Sequence, residues 1–384
     1  MPCYQSLGEV PRKRHTVFRQ PSGDLYAEHL MGALGFSGPS SLLYHRRPPT
    51  RVLATRKLDD VALVPESDRS LRMRHFHLAE CTTEKSPTLG RTPVLFNQDV
   101  TISFARPTES DIFYYRNGQA DEIVYVSEGR GVLESEFGEI EYRAGDYVVV
   151  PRGILHRFRL GDDNTRFLVI ETPSHIRFPS RYLSDEGQLM EHAPFCERDL
   201  RPPQRLVGAD EEGEFRLVVK QNDVLTEVTI DHHPLDAVGW DGCYYPWVLS
   251  IHDFEPITGS LHQPPPVHQT FQADQFVVCS FVPRLFDFHP DAVPVPYNHS
   301  NVMSDEILYY ANDEFMSRKG IAYGSLTLHP AGIPHGPHPG RVEKSIGKTR
   351  TEELAVMVDT FRPVQVAAAV LSVEDSTYGR SWVE

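Results

Sequence analysis

Gly324-Ser-Leu-Thr-Leu-His-Pro330-Ala-Gly332-Ile-Pro-His335 repeats, at five positions, a stretch that lies 179 residues upstream (335 − 156), Gly145-Asp-Tyr-Val-Val-Val-Pro151-Arg-Gly153-Ile-Leu-His156. Both read G-x5-P-x-G-x2-H. Proline fixes φ and glycine accepts turn conformations that other residues resist, so each stretch reads as strand, turn, strand. The terminal histidine projects from the start of the second strand. Ahead of each stretch stands another matched element, Asp121-Glu-Ile-Val-Tyr-Val126 and Asp305-Glu-Ile-Leu-Tyr-Tyr310. A strand-rich unit is therefore present twice.

Length and composition fit this reading. A chain of 384 residues accommodates two domains with their own cores. Its 31 prolines and 26 glycines favour a turn-rich β protein over a helical bundle. Alternating or continuous apolar strands run from 93 to 170, as in Val100-Thr-Ile-Ser-Phe104 and Phe167-Leu-Val-Ile-Glu171, and again from Arg216 to Phe361. The segment Leu30-Met-Gly-Ala-Leu34 is weakly helical in pattern. We divide the chain into an N-terminal arm (1–60) with a strand or two, a first β domain (61–212) and a second (213–384). Many short strands between turn signals mean sandwiches or barrels, and the duplication means two.

A formal charge of −15 argues against nucleic acid or an anionic membrane as partner. No apolar run is long enough for a transmembrane helix, and the start of the chain does not resemble a secretory signal. Five scattered cysteines without C-x-x-C spacing suit reduced thiols in a cytoplasmic protein and exclude a cysteine-based zinc site.

The two copies differ in their histidines. In the second, His299-Ser-Asn301-Val-Met-Ser-Asp-Glu306 has the spacing H-x-N-x4-E, and His299, Glu306 and His335 form a set of two imidazoles and one carboxylate. That set leaves positions open on one face of a non-haem Fe(II); manganese accepts the same ligands, and zinc is less natural without a cysteine or third histidine. In the first copy, Tyr115-Arg-Asn117-Gly-Gln-Ala-Asp-Glu122 places Tyr115 where His299 stands. Glu122 and His156 alone are too few for a permanent metal, so the first copy is expected to be metal-free.

These two stretches resemble the paired motifs of the cupin fold, so the expected architecture is all-β, with duplicated cupin (double-stranded β-helix, jelly-roll) barrels: a bicupin. The departures are Asp313 in place of the first motif's closing glycine in the second copy, and the absent final asparagine in both. Val238-Gly-Trp240-Asp241-Gly-Cys-Tyr-Tyr-Pro246, Pro296-Tyr297-Asn-His299-Ser-Asn301-Val-Met-Ser304 and Pro334-His335-Gly-Pro337 together resemble the homogentisate 1,2-dioxygenase family, in its compact bacterial branch. The resemblance spans most of the chain and is strongest over 235–345. It implies an Fe(2+)-dependent ring-cleaving dioxygenase of tyrosine and phenylalanine catabolism, which takes homogentisate and O2 to maleylacetoacetate. By the same resemblance His299, Glu306 and His335 are the iron ligands, Tyr297 and His329 contact substrate or ligands, and the protein is a homo-oligomer, a trimer or hexamer. The family's Gly-Trp-His segment reads Gly-Trp-Asp here. Asp241 stands where the family has a histidine for the substrate's phenolic proton, and either serves as base or marks a changed aromatic substrate, gentisate-like or an aminophenol. A non-catalytic binding bicupin is the alternative from another class, disfavoured by the complete ligand set. Among other histidines, His75-Phe-His77 reads as structural or surface, His262 and His268 as loop residues near the site mouth, His232-His233 as solvent-facing, and His338 as a pocket-lining or turn-capping residue.

Overall fold

The computed structural model describes residues 3–35 and 37–383. It is built almost wholly from strands; among the described residues the single α-helix is the five-residue Arg341–Ser345. Two antiparallel sheets share one strand order. The first runs Asp146–Val150, Asp121–Glu128, Arg166–Thr172, Thr101–Ala105, Arg91–Phe96. The second runs Ser325–His329, Asp305–Tyr310, Ala355–Thr360, Phe276–Phe281, Gln269–Gln272. Each repeated stretch thus occupies the same position in its own sheet. The motif glycines explain the tight approach: Gly145, Gly153, Gly324 and Gly332 all have φ between 78° and 92°, a region that costs any residue with a Cβ.

The halves are laced together by exchange. Trp247–Ser250, from the second half, pairs with Asp146–Val150 of the first sheet, while Arg74–His77, from the first half, pairs with Ser325–His329 of the second. The ladders therefore cross the sequence division at 212. The outer faces of the equivalent strands Asp121–Glu128 and Asp305–Tyr310 lie against each other. There Tyr125 and Tyr309 have ring centroids 6.2 Å apart, and the Ser127 and Tyr309 hydroxyls are within 2.6 Å. Ile123, Tyr125, Tyr147, Ile307, Tyr309 and Val358 all belong to one continuous core. Burial of such side chains is the main favourable term holding the barrels together, at about 1.5–3 kcal/mol each.

The N-terminal segment is more ordered than its composition suggests. It holds four strands, Gln5–Gly8, Ala27–Leu34, Ser37–His45 and Val52–Asp60. Leu30-Met-Gly-Ala-Leu34, read as weakly helical, is a strand instead, hydrogen-bonded to Ser37–His45. The short apolar run does not discriminate helix from strand, and cross-strand pairing decides it. His232, expected to face solvent, is buried, with its Nδ1 2.8 Å from Asp231.

The opposite walls of the two barrels differ. In the first, Gly138–Arg143, Arg130–Ser135, Leu155–Leu160 and Tyr114–Asn117 form a full antiparallel wall. In the second, this wall shrinks to a single bridge between His299 and His335 and a short two-stranded ladder, Arg284–Leu285 with Arg350–Thr351. The second barrel is consequently open on the side where its histidines lie.

Candidate metal centre

The His299–His335 bridge is made by two backbone hydrogen bonds, His299 N–H to the His335 carbonyl at 2.8 Å and the reciprocal bond at 2.9 Å. This brings two loops together and sets the rings 4.3 Å apart. It also matches the first barrel, where Tyr115 pairs with His156, so Tyr115 and His299 are equivalent in space as well as in spacing. Glu306 reaches into the same point from the strand Asp305–Tyr310. Its carboxylate lies 3.4 Å from His299 Nε2 and 3.3 Å from His335 Nε2. One ligand atom from each of the three falls within 4.8 Å of the others.

The hydrogen-bond pattern leaves these nitrogens available. His299 Nδ1 lies 3.2 Å from the Tyr297 carbonyl, so the proton belongs there and Nε2 carries the lone pair. Both ring nitrogens of His335, though buried, have no hydrogen-bond partner. Unmatched buried polar atoms are rare in native proteins; two in one imidazole, beside a carboxylate and a second imidazole, fit a divalent cation. Burial alone would raise the Glu306 carboxyl, but the imidazoles of His299, His329 and His335 around it overcome this and hold it well below the usual carboxylate range. His299 is in turn raised, chiefly by the neighbouring Glu306 carboxylate.

His329 sits directly across the ladder from Glu306. Its Nδ1 is 2.7 Å from the carboxylate and its Nε2 3.0 Å from the Tyr378 hydroxyl, so Nδ1–H donates to Glu306 and Tyr378 donates to Nε2. It thus holds the Glu306 carboxylate in place. Tyr297 is exposed at the cavity edge, its ring 6.2 Å from that of His299. His262 lies 5.5 Å from Tyr297 and within 3.3 Å of Asp287, and His268 is buried against Phe281; both line the cavity. His338 caps the C-terminal turn through the Ser381 hydroxyl at 2.6 Å and stacks on Trp382. His75 is a structural strand residue, 2.8 Å from the Ser325 hydroxyl, although Asp375 gives it and His77 a carboxylate neighbour that the sequence did not reveal.

Asp241 lies elsewhere. It is on the strand Ala237–Gly242, where the Tyr4 hydroxyl and Arg14 guanidinium donate to it at 2.8 and 2.9 Å. It does not line the cavity. The shift in expectation has a physical cause: the segment runs through the four-stranded N-terminal sheet, pairing with Gln5–Gly8 and Ser37–His45.

A cavity of about 360 Å³, lined by His299 and Glu306, opens beside the cluster, within the range of small-molecule sites. Among the residues that line it, sequence reasoning missed Arg318 and Asp359. Arg318 is buried and its Nη1 donates to the Gly336 carbonyl at 2.6 Å; Trp382 donates to the same carbonyl at 3.1 Å, steadying the residue after His335. Among the described residues no carboxylate lies within ion-pair distance of Arg318, whereas Arg284 is neutralised by Glu353 at 2.7 Å. Asp359 stands across the ladder from Glu306; burial, reinforced by the Glu306 charge, raises its carboxyl to about 7. A signal for it existed in the repeat, since Ile170-Glu171-Thr172 and Val358-Asp359-Thr360 close the equivalent strands.

Residues 97–251 match the family described as homogentisate 1,2-dioxygenase N-terminal. A Saccharolobus solfataricus protein named "Putative dioxygenase" is 42% identical over 385 residues, which cover 100% of this chain and 99% of that protein. The chain belongs to the homogentisate 1,2-dioxygenase family. A solved cupin 2 conserved barrel domain protein of Leptotrichia buccalis is 10% identical, over 78% of this chain and 100% of that one, with a TM-score of 0.36. That weak likeness adds nothing to the strand order above. As a family member the protein is a dioxygenase of cupin architecture, and among its described residues no helix is long and apolar enough to cross a membrane.

Proposed function

We propose that this dioxygenase is Fe(2+)-dependent and cleaves the ring of homogentisate (2,5-dihydroxyphenylacetate) with O2 to give maleylacetoacetate, as in tyrosine and phenylalanine breakdown. The observation that carries the reading is the cluster of His299, Glu306 and His335, of which His299 and Glu306 line a cavity large enough for one aromatic ring. These three residues would hold the metal. When bound, Fe(II) with this ligand set supplies Lewis acidity and adjacent open positions.

The chain's own residues do the rest. His329 orients the Glu306 carboxylate through Nδ1–H. Phe281, Phe286 and Met357 offer apolar surface for a ring. Arg318, a buried cation without a carboxylate of its own, supports an anionic substrate and matches the acetate group of homogentisate. Tyr297 stands at the cavity edge, its ring 6.2 Å from that of His299. All five cysteines are free thiols, as suits a cytoplasmic enzyme. We further propose homo-oligomer assembly, supported by the strand Val52–Asp60, which is exposed along its whole length at a sheet edge that a second copy could cover.

Oxygen uptake by the Fe(II)-loaded protein tests the reading. One O2 should be consumed per homogentisate with formation of an absorbing ring-opened product, and gentisate should be turned over far more slowly. No uptake with homogentisate would sink the assignment. Preferential uptake with gentisate or an aminophenol would move it to another hydroxylated aromatic.

A further inference from the structure

We propose that Asp359 is the hydrogen-bond acceptor for a ring hydroxyl of the bound substrate, a substrate-contacting residue and not a metal ligand. This rests on the ring-cleavage reading above. The strand Ala355–Thr360 alternates: Val356 and Val358 enter the shared core, while Met357 and Asp359 face the cavity. Asp359 therefore points the same way as Glu306, its partner across the ladder. It is not one of the three residues whose ligand atoms converge.

Its Oδ1 is buried and has no hydrogen-bond partner. Buried acceptors are ordinarily matched by protein, water or ligand, and the equivalent acid of the first barrel shows what a matched one looks like. Glu171, across the ladder from Glu122, receives the Arg91 guanidinium at 2.8 Å and also the Lys220 ammonium. Among the described residues no lysine or arginine forms an ion pair with Asp359. The second barrel thus keeps a carboxylate at this position, lacks its cations and opens it to a cavity. A hydroxyl on a bound ring is the donor that completes it. Asp241, which the sequence put forward for contact with the phenol, is held by Tyr4 and Arg14 away from this cavity, so within one chain Asp359 is the carboxylate placed to make it.

The test is equilibrium binding without turnover. Fe(II)-loaded protein kept free of O2 is titrated with 2,5-dihydroxyphenylacetate and its two monomethyl ethers, which lose one donor each. Wild type should bind one ether at least about tenfold more weakly than the parent. In Asp359→Ala that preference should collapse toward one while iron content stays unchanged, and Asp359→Asn, which keeps a neutral acceptor, should retain part of it. An undiminished preference in both variants overturns the proposal. So does loss of iron from either variant, which would make Asp359 a ligand. Failure of the wild type to bind any of the three compounds takes down the ring-substrate reading together with this one, and so differs from failure of the Asp359 assignment alone.

Discussion

Glu122 and Glu306 sit at one position of two barrels with the same strand order, and their surroundings have diverged. Glu122 faces Arg91 at 2.9 Å and Asn117 at 2.8 Å, and Arg91 also bridges to Glu171. Glu306 faces three imidazoles. The interior beyond Glu122 is filled by rings, with Phe158 5.7 Å from Tyr142 and 5.3 Å from Phe167; beyond Glu306 lies a cavity. Each barrel sets two acids opposite each other across one ladder, Glu122 with Glu171 and Glu306 with Asp359. Buried charge needs compensation. The first barrel supplies it permanently with a guanidinium, and the second supplies lone pairs, the donor set of a divalent cation. The lesson is that one scaffold becomes structural or chemical according to who provides the positive charge.

Arg91→Ala should have the largest effect on stability, because it leaves buried Glu122 without its cation and Glu171 with Lys220 alone. Breaking a buried pair this way costs about 3–5 kcal/mol, readable as a fall in the urea midpoint. The pH dependence should change with it. Burial raises the Glu122 carboxyl, but Arg91 more than offsets this and holds it at about 2, below its ordinary 4.5. Between those values the unfolded chain binds the proton that the folded one does not, so wild-type stability from this group rises with pH and is lost as pH falls from about 4.5 toward 2. Without Arg91 only the Asn117 hydrogen bond and the His156 ring oppose burial, so this acid-side gain in stability should shrink. An unchanged acid profile in Arg91→Ala would break the comparison on the first barrel's side.

A smaller effect is expected at Tyr378, which anchors the second barrel's acid from behind. Tyr378→Phe removes the hydroxyl that His329 Nε2 accepts from at 3.0 Å, and with it the fixed orientation of the ring that donates to Glu306. Loss of such an orienting partner typically costs about 10–100-fold in metal affinity, measurable by competition with a chelator. Asp241→Ala should do least. It releases a surface contact with Tyr4 and Arg14 worth under about 1 kcal/mol, and iron affinity should not move. A drop in iron affinity there would mean that Asp241 communicates with the site after all.

The barrels and the ligand cluster were legible because the repeat is written in residues with strong local consequences. Gly145, Gly324, Gly153 and Gly332 take left-handed turns, and the Gly153 and Gly332 turns are preceded by proline and followed by a histidine. Tyr115 against His299 was visible for the same reason, and the bridges confirm the alignment. The parts that escaped depend on contacts between distant segments. Arg91 lies 31 residues before Glu122, and nothing in its own strand marks it as a counter-ion. Tyr378 and Trp382 reach the site from the end of the chain. Asp241 was misplaced because a local match cannot tell which sheet a segment will join. The exchange of Arg74–His77 and Trp247–Ser250 between sheets is invisible for the same reason.

The central claim is that one barrel is armed and the other is not, and iron content per chain tests it most directly. Wild type, His335→Ala and His156→Ala would be reconstituted anaerobically with Fe(II), cleared of free metal and measured for iron alongside thermal unfolding. His156 makes the comparison stringent, since its Nε2 is also buried without a partner. The account predicts one iron per chain in wild type, none in His335→Ala, and one in His156→Ala. Iron retained in a folded His335→Ala, or lost from a folded His156→Ala, would contradict it.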